Sequence, residues 1–225
     1  MEPSSAAPGR AAISERGLNL VGLAYRSVSD MIRDRRLRGG DVIVEAKLAE
    51  TLGISRTPMR EALQRLEGEG LVHKGDGRNY VVRRVELGEY LQSLKLRLLI
   101  EPEAAAQAIG SIPNRQIFAV RHEINELLTA TTYHTDRHWL SDDNLHGMII
   151  EHCGNEVMAR VLRELRATTR LFEIDQLKDR LIPDSTEHLR IIEALQASAV
   201  AEAREAVAAH VRSLIDFALQ SLLPK

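Results

Sequence analysis

The chain has 225 residues, 44% of them apolar and 28% charged, the balance of an ordinary globular protein and enough length for one large domain or two smaller ones. No apolar run is long enough to cross a bilayer, and the single cysteine, Cys153, excludes an intrachain disulfide and fits a reducing cytoplasm. The net charge of −2 hides an asymmetry: Glu15–Arg84 carries 14 basic against 10 acidic side chains, and Val85–Lys225 carries 15 against 21. Of the two, only the first part is suited to meet a polyanion, although many solvated surfaces differ this much without a function.

The first residues, MEPSSAAPGRAAIS, lack the apolar core of a secretory signal, so positions 1–14 are expected to form a flexible tail. From Asn19 to Arg36 the residues Leu20, Leu23, Ala24, Val28, Met31 and Ile32 recur at the spacing of an amphipathic helix, and Gly39-Gly40 stops it. A short helix is expected over Glu45–Leu52, then the turn Gly53-Ile54-Ser55, then a longer helix from Arg56 to Glu69. Leu71–Lys74 and Tyr80–Arg84 have strand character, and Gly75-Asp76-Gly77 between them is a hairpin signal. The order is helix, helix, turn, helix and a two-stranded wing, which defines a first domain over 15–84.

After Val85 the pattern is helical throughout. Helices are expected near Leu87–Ile109, Asn114–Tyr133, Arg137–Cys153, Glu156–Ile174, Ser185–Ala197 and Val200–Leu222, separated by breaks that include Thr135-Asp136 and Ile182-Pro183-Asp184. Such short connections predict an antiparallel six-helix bundle over 85–225. The fold class is therefore mainly α.

Within LAETLGISRTPMREALQRLEGEGLV, Leu48, Ala49 and Leu52 pack the first helix of the pair and Gly53 allows the sharp turn. Ile54 fills the corner. Ser55 is placed to cap the second helix, Pro58 is tolerated in its first turn, and Leu63 and Leu66 form its buried side. Arg56, Thr57, Arg60 and Gln64 are left facing outward, as on a helix that presents its N-terminal half to base edges in the major groove. Solvated arginines alone would not account for the turn, the exposed Arg-Thr-x-x-Arg and the hairpin together.

In the second half, Asp142 and His146 lie one turn apart on a largely apolar helical face with Leu145, Ile149 and Cys153. His188 sits among Leu181, Ile191, Ile192 and Leu195, and His210 lies on the stripe Ala203, Val207, Leu214 and Phe217. An unpaired buried carboxylate is costly, and a shared metal ion would satisfy all four groups. Ordinary hydrogen-bonded core histidines, with Asp142 as a helix cap, fit the same pattern.

GISRTPMREALQRLEGEGLV resembles the signature of the GntR family of transcriptional regulators, particularly its FadR-like branch, and the resemblance runs upstream through Glu45–Leu52. It implies that Ser55, Arg56, Thr57 and Arg60 contact operator DNA and that the wing around Gly77 reaches the minor groove. Two features depart from the pattern: Ala46 stands where some relatives carry an arginine contact, and the wing reads Gly-Asp-Gly-Arg-Asn, in which Arg78 could replace a lost contact. The second half is similar to the helical effector domain of the shorter, VanR-like group. That likeness implies a divalent ion held by Asp142, His146, His188 and His210, with zinc expected first and nickel or manganese open. It also implies a carboxylate effector, a small organic acid, held by Arg97 in Leu96-Arg97-Leu98-Leu99-Ile100-Glu101; an Arg97–Glu101 ion pair is the competing arrangement. A single reading helix covers few base pairs, so a homodimer on an inverted-repeat operator is expected. A metal-responsive regulator is the alternative. A metal site with open positions can also activate water, but no His-Glu-x-x-His motif, nucleophile motif or phosphate loop is present, so no enzyme and no membrane partner are expected.

Overall fold

A computed structural model describes residues 10–130, 135–176 and 180–220. The chain separates into two compact units, Met1–Arg84 and Val85–Lys225.

The first unit runs α1 (Arg10–Arg33), β1 (Val42–Val44), α2 (Glu45–Thr51), α3 (Arg56–Gly68), β2 (Val72–Lys74) and β3 (Asn79–Val82). Its core forms where α1 packs along α3: Ala24, Val28 and Ile32 are buried on one helix, and Met59, Ala62, Leu63 and Leu66 on the other. Ile43, Val72, Tyr80 and Val82 close it from the sheet. Two details depart from the expectations. α1 starts at Arg10, inside the segment 1–14 expected to be a tail, because Ala11, Ala12 and Ile13 continue a good helix-forming run. The wing has three strands, not two, in the order β1-β3-β2, with Val42 opposite Val81 and Val44 opposite Asn79. Val-Ile-Val is too short to show alternation, and its partner lies far along the chain, so its pairing has no local signal.

The turn between α2 and α3 closes as a Schellman motif. Ile54 N–H donates to the Ala49 carbonyl and Gly53 N–H to that of Glu50, at 3.0 Å each. This requires the left-handed backbone of Gly53, whose φ is +64°. Ser55 occupies the N-cap position of α3, but its side chain makes no capping bond, contrary to its expected role as a cap.

The second unit is a six-helix bundle: α4 (Leu87–Ala108), α5 (Asn114–Thr129), α6 (Thr135–His152), α7 (Glu156–Gln176), α8 (Leu181–Gln196) and α9 (Val200–Gln220). α4 is central and packs on α6, α7 and α9. Its buried Ala104, Ala105 and Ala108 have small side chains that let neighbouring helices approach closely. The core joins them to Ile124 of α5, Leu145 and Ile149 of α6, Leu162 of α7, Ile191 and Ile192 of α8 and Val207 of α9. The expected break at Ile182-Pro183-Asp184 is the first turn of α8. There the missing proline N–H costs nothing, because the first N–H groups of a helix have no intrahelical partner. α6 likewise begins at Thr135, where a break was expected.

Candidate nucleic-acid interface and metal centre

On α3 the helical period separates two faces. Pro58, Met59, Ala62, Leu63 and Leu66 are buried, while Arg56, Thr57, Arg60 and Gln64 are exposed, as is Ser55 at its start. The β2–β3 hairpin carries Gly77, with φ +66°, and Arg78 exposed at its tip. Sequence reasoning missed Glu45, the first residue of α2. It is 4% exposed, and its two carboxylate oxygens accept from Arg60 Nε at 2.9 Å and Arg60 Nη2 at 2.7 Å. The hydrogen bonds from Arg60 hold this carboxyl below the usual range despite burial, and the charges of Arg60, Arg78 and Arg56 add to the effect. One expected DNA contact, Arg60, is therefore bound to this carboxylate, and the charges of two others act on it.

In the second unit, Asp142 and His146 of α6, His188 of α8 and His210 of α9 converge. Each offers one ligand atom, and these atoms all lie within 4.8 Å of one another. Asp142 Oδ1 is 3.5 Å from His146 Nε2 and 3.6 Å from His188 Nε2. All three imidazoles are buried, and the Nε2 atom of each has no hydrogen-bond partner. The opposite edges of two rings are fixed from behind: His146 Nδ1 by Glu101, and His210 Nδ1 by Glu187 Oε2 at 2.8 Å. A neutral imidazole whose Nδ1–H donates to a carboxylate turns a lone pair outward at Nε2. Burial, then the charge of Arg166, lower His146 to about 4. Burial, then the charge of His210, hold His188 well below the ordinary histidine value. Three buried imidazoles whose Nε2 atoms have no partner, gathered beside a carboxylate, are the donor set of a divalent ion, which would satisfy all of them.

Asp142 is not the unpaired carboxylate that the sequence suggested. Its Oδ2 accepts from Arg166; burial alone would raise this carboxyl, and the surrounding positive charges, Arg166 foremost, together hold it well below the usual range. Oδ1 remains directed at the imidazoles. The neighbouring carboxylate, Asp143, pairs with Arg170 at 2.6 Å. Asp184, Glu187 and His210 form a second close group, but a cation already serves it: Arg180 Nε donates to Asp184 at 2.7 Å and Nη2 to Glu187 at 2.9 Å. Of the remaining histidines, His138 is buried 3.5 Å from Asp184, His122 is exposed beside Glu126, and His152 meets the carbonyl of Met148. His134 lies outside the described residues.

Arg97 is 2% exposed. Its Nε donates to Glu101 Oε2 at 2.7 Å and its Nη1 to Thr169 Oγ1 at 3.2 Å, while Nη2 is buried without a partner. The two arrangements left open by the sequence are therefore compatible: the ion pair with Glu101 exists, and one donor stays unsatisfied. Glu101, fully buried, also holds His146 and so links the guanidinium to the histidine cluster. The supporting roles of Arg166 and Glu187 had no local signal, since each acts on a residue at least 23 positions away.

Comparison with known proteins agrees with both units. The model of bacterial regulatory proteins of the gntR family matches residues 21–82, and that of the FCD domain matches residues 92–213. The chain is 27% identical over 184 residues to the Nta operon transcriptional regulator of Aminobacter aminovorans, covering 81% of this chain and 87% of that one. It is 26% identical over 223 residues to the Uxu operon regulator of Haemophilus influenzae, covering 87% and 82%. Among solved structures, E. coli McbR/YncC superposes with a TM-score of 0.74 at 17% identity, over 91% of this chain and 99% of that chain. That last likeness shows the fold alone.

Proposed function

Since the chain belongs to the GntR family of bacterial regulatory proteins, with an FCD domain as its second half, and is a DNA-binding transcriptional regulator and not an enzyme, we propose that its operator affinity is set by a small organic acid bound at a metal centre in the second unit. Asp142, His146, His188 and His210 would hold the ion, zinc first among the candidates. The observation that carries this reading is the grouping of Asp142 with three buried imidazoles whose Nε2 atoms have no partner, with the open Nη2 of Arg97 tied to the same cluster through Glu101. The ion supplies a Lewis-acidic position for one carboxylate oxygen. Arg97 Nη2 donates to the acid, and Glu101 keeps the guanidinium plane and the His146 ring in register. On the DNA side, Ser55, Arg56, Thr57 and Arg60 read the major groove and Gly77 and Arg78 follow the minor groove, twice over in a homodimer on an inverted repeat.

An acid alters DNA affinity only by favouring one arrangement of the reading units. α4 carries both Arg97 and Glu101 and begins at Leu87, three residues after the first unit ends at Arg84, so a change at the site reaches the reader through covalent connection. The test measures DNA affinity of zinc-loaded and chelator-treated protein while a panel of small mono- and dicarboxylic acids is titrated. An acid that shifts affinity only in the loaded protein supports the reading. A shift produced by the metal alone, with no acid effect, would instead make the protein a metal-responsive regulator.

A further inference from the structure

A guanidinium has more than one donor edge. Glu45 takes the edge formed by Nε and Nη2 of Arg60, which leaves the end-on pair of terminal N–H groups open. That pair can still span O6 and N7 of a guanine. The Arg60 side chain remains 44% exposed, whereas that of Glu45 is 5% exposed. The pair is therefore anchored on the protein side and open on the other.

From this geometry we propose that Glu45 is a positioning residue that aims Arg60 at one base of the operator and so sets how strictly the sequence is read. The proposal rests on α3 being the recognition helix. An arginine free on a helix surface samples many rotamers and meets phosphates as readily as bases. One gripped at two nitrogens has its plane fixed and less freedom to lose on binding. A buried carboxylate is suited to the grip, because leaving it unpaired is costly.

Its place in the fold adds a second function. Glu45 follows directly on β1, where Val44 pairs with Asn79, the residue after Arg78 at the wing tip. The bridge therefore ties the reading helix to the wing sheet. A negative charge among Arg56, Arg60 and Arg78 opposes phosphate binding in general; it is useful only if it improves selection among sequences.

That opposition gives the test its sign. The wild-type full chain first selects its operator from a randomised duplex library. Dissociation constants are then measured at one salt concentration for the selected duplex and for a scrambled duplex of equal length and composition. The proteins compared are wild type, Glu45→Gln, Arg60→Ala and the double variant, each with its melting temperature. Glu45→Gln is expected to lose about tenfold or more of its preference for the selected duplex, entirely through weaker operator binding, while the scrambled duplex binds as tightly as before or tighter. With Arg60→Ala already present, the same change should alter preference by less than about twofold. Equal weakening on both duplexes would mean that Glu45 only holds the fold, and a full loss that persists without Arg60 would mean that it acts elsewhere; either overturns the proposal, as does an unchanged preference. If Arg60→Ala itself keeps its preference, the assignment of α3 fails, and this proposal with it. Glu45→Asp, which keeps the charge but withdraws the carboxylate, carries the same test should the amide variant be unstable.

Discussion

The two units place their chemistry in opposite ways. In the first, the groups expected to touch a ligand lie on the surface of one short helix and one hairpin, and a buried carboxylate, Glu45, holds one of them, Arg60. In the second, the three candidate histidines are buried and Asp142 is half-buried, and three of the four draw on a partner from another element: Glu101 behind His146, Glu187 behind His210, Arg166 behind Asp142. A surface reader tolerates loss of one contact, because water replaces it. A buried polar cluster does not, because a group left unpartnered there keeps its full desolvation cost. The largest effects of mutation are therefore expected in the second unit.

Metal content should separate the units most sharply. An ion present at a thousandfold excess over its dissociation constant stabilises the folded state by about 4 kcal/mol. Adding zinc to chelator-treated protein should then raise the melting temperature of the wild type and leave His188→Ala and His210→Ala nearly unmoved. The measurement is a thermal scan with elemental analysis. Wild-type protein with no zinc-dependent rise would reduce the four residues to a polar core cluster.

On the reading helix, Arg56→Ala and Arg60→Ala should each cost about 1–3 kcal/mol of operator binding, with no loss of zinc. Operator affinity should also fall steeply with salt. Fluorescence anisotropy on the selected duplex checks this. A double variant that binds as well as wild type would show that another face of the first unit reads DNA.

What the sequence disclosed follows the same division. The helix-turn-helix was legible because its causes are local: Gly53 for the turn, period 3.6 for the buried face of α3, Arg56 and Arg60 left on the other side. Asp142 and His146 were legible because one helical turn joins them. His188 and His210 were legible one helix at a time, each on an apolar stripe, which left a shared ion and ordinary core histidines both open; family resemblance favoured the ion, since no spacing relates three separate helices. Strand β1 had no signal in three residues, and Pro183 misled because a proline marks a helix start as readily as a break. Glu45 reads in sequence as an ordinary acidic residue in a first helical turn, where the helix dipole favours it; only the fold shows that Arg60 faces it.

Arg97 tests whether the units communicate. Arg97→Ala should leave zinc binding and acid-free DNA binding in place and abolish the response to the acid, a coupling of about 1–3 kcal/mol. DNA titrations with and without saturating acid measure it. A full response in this variant would confine Arg97 to its ion pair with Glu101.

The smallest expected effect concerns Glu173 on α7, a half-buried acid whose carboxylate accepts from the Tyr90 hydroxyl at 2.9 Å. Burial first, and then the charge of Asp142, push its carboxyl up to about 7 from an ordinary 4.5, with Asp184 adding to the rise and Arg97 opposing it. The sign follows from proton counting. Between about pH 4.5 and 7 the unfolded chain has released this proton while the folded chain retains it, so the group makes stability fall as pH rises. Glu173→Gln removes that dependence. In chelator-treated protein the variant should melt close to wild type near pH 4.5 and progressively above it up to about pH 7, beyond which the difference levels off. A cation held by Asp142 offsets the very charge that raises Glu173, so the same series with zinc present should show a smaller gap. A melting difference that is independent of pH would mean that Glu173 is ionised throughout. A pH-dependent gap that zinc leaves unchanged would mean that the ion does not bind at Asp142.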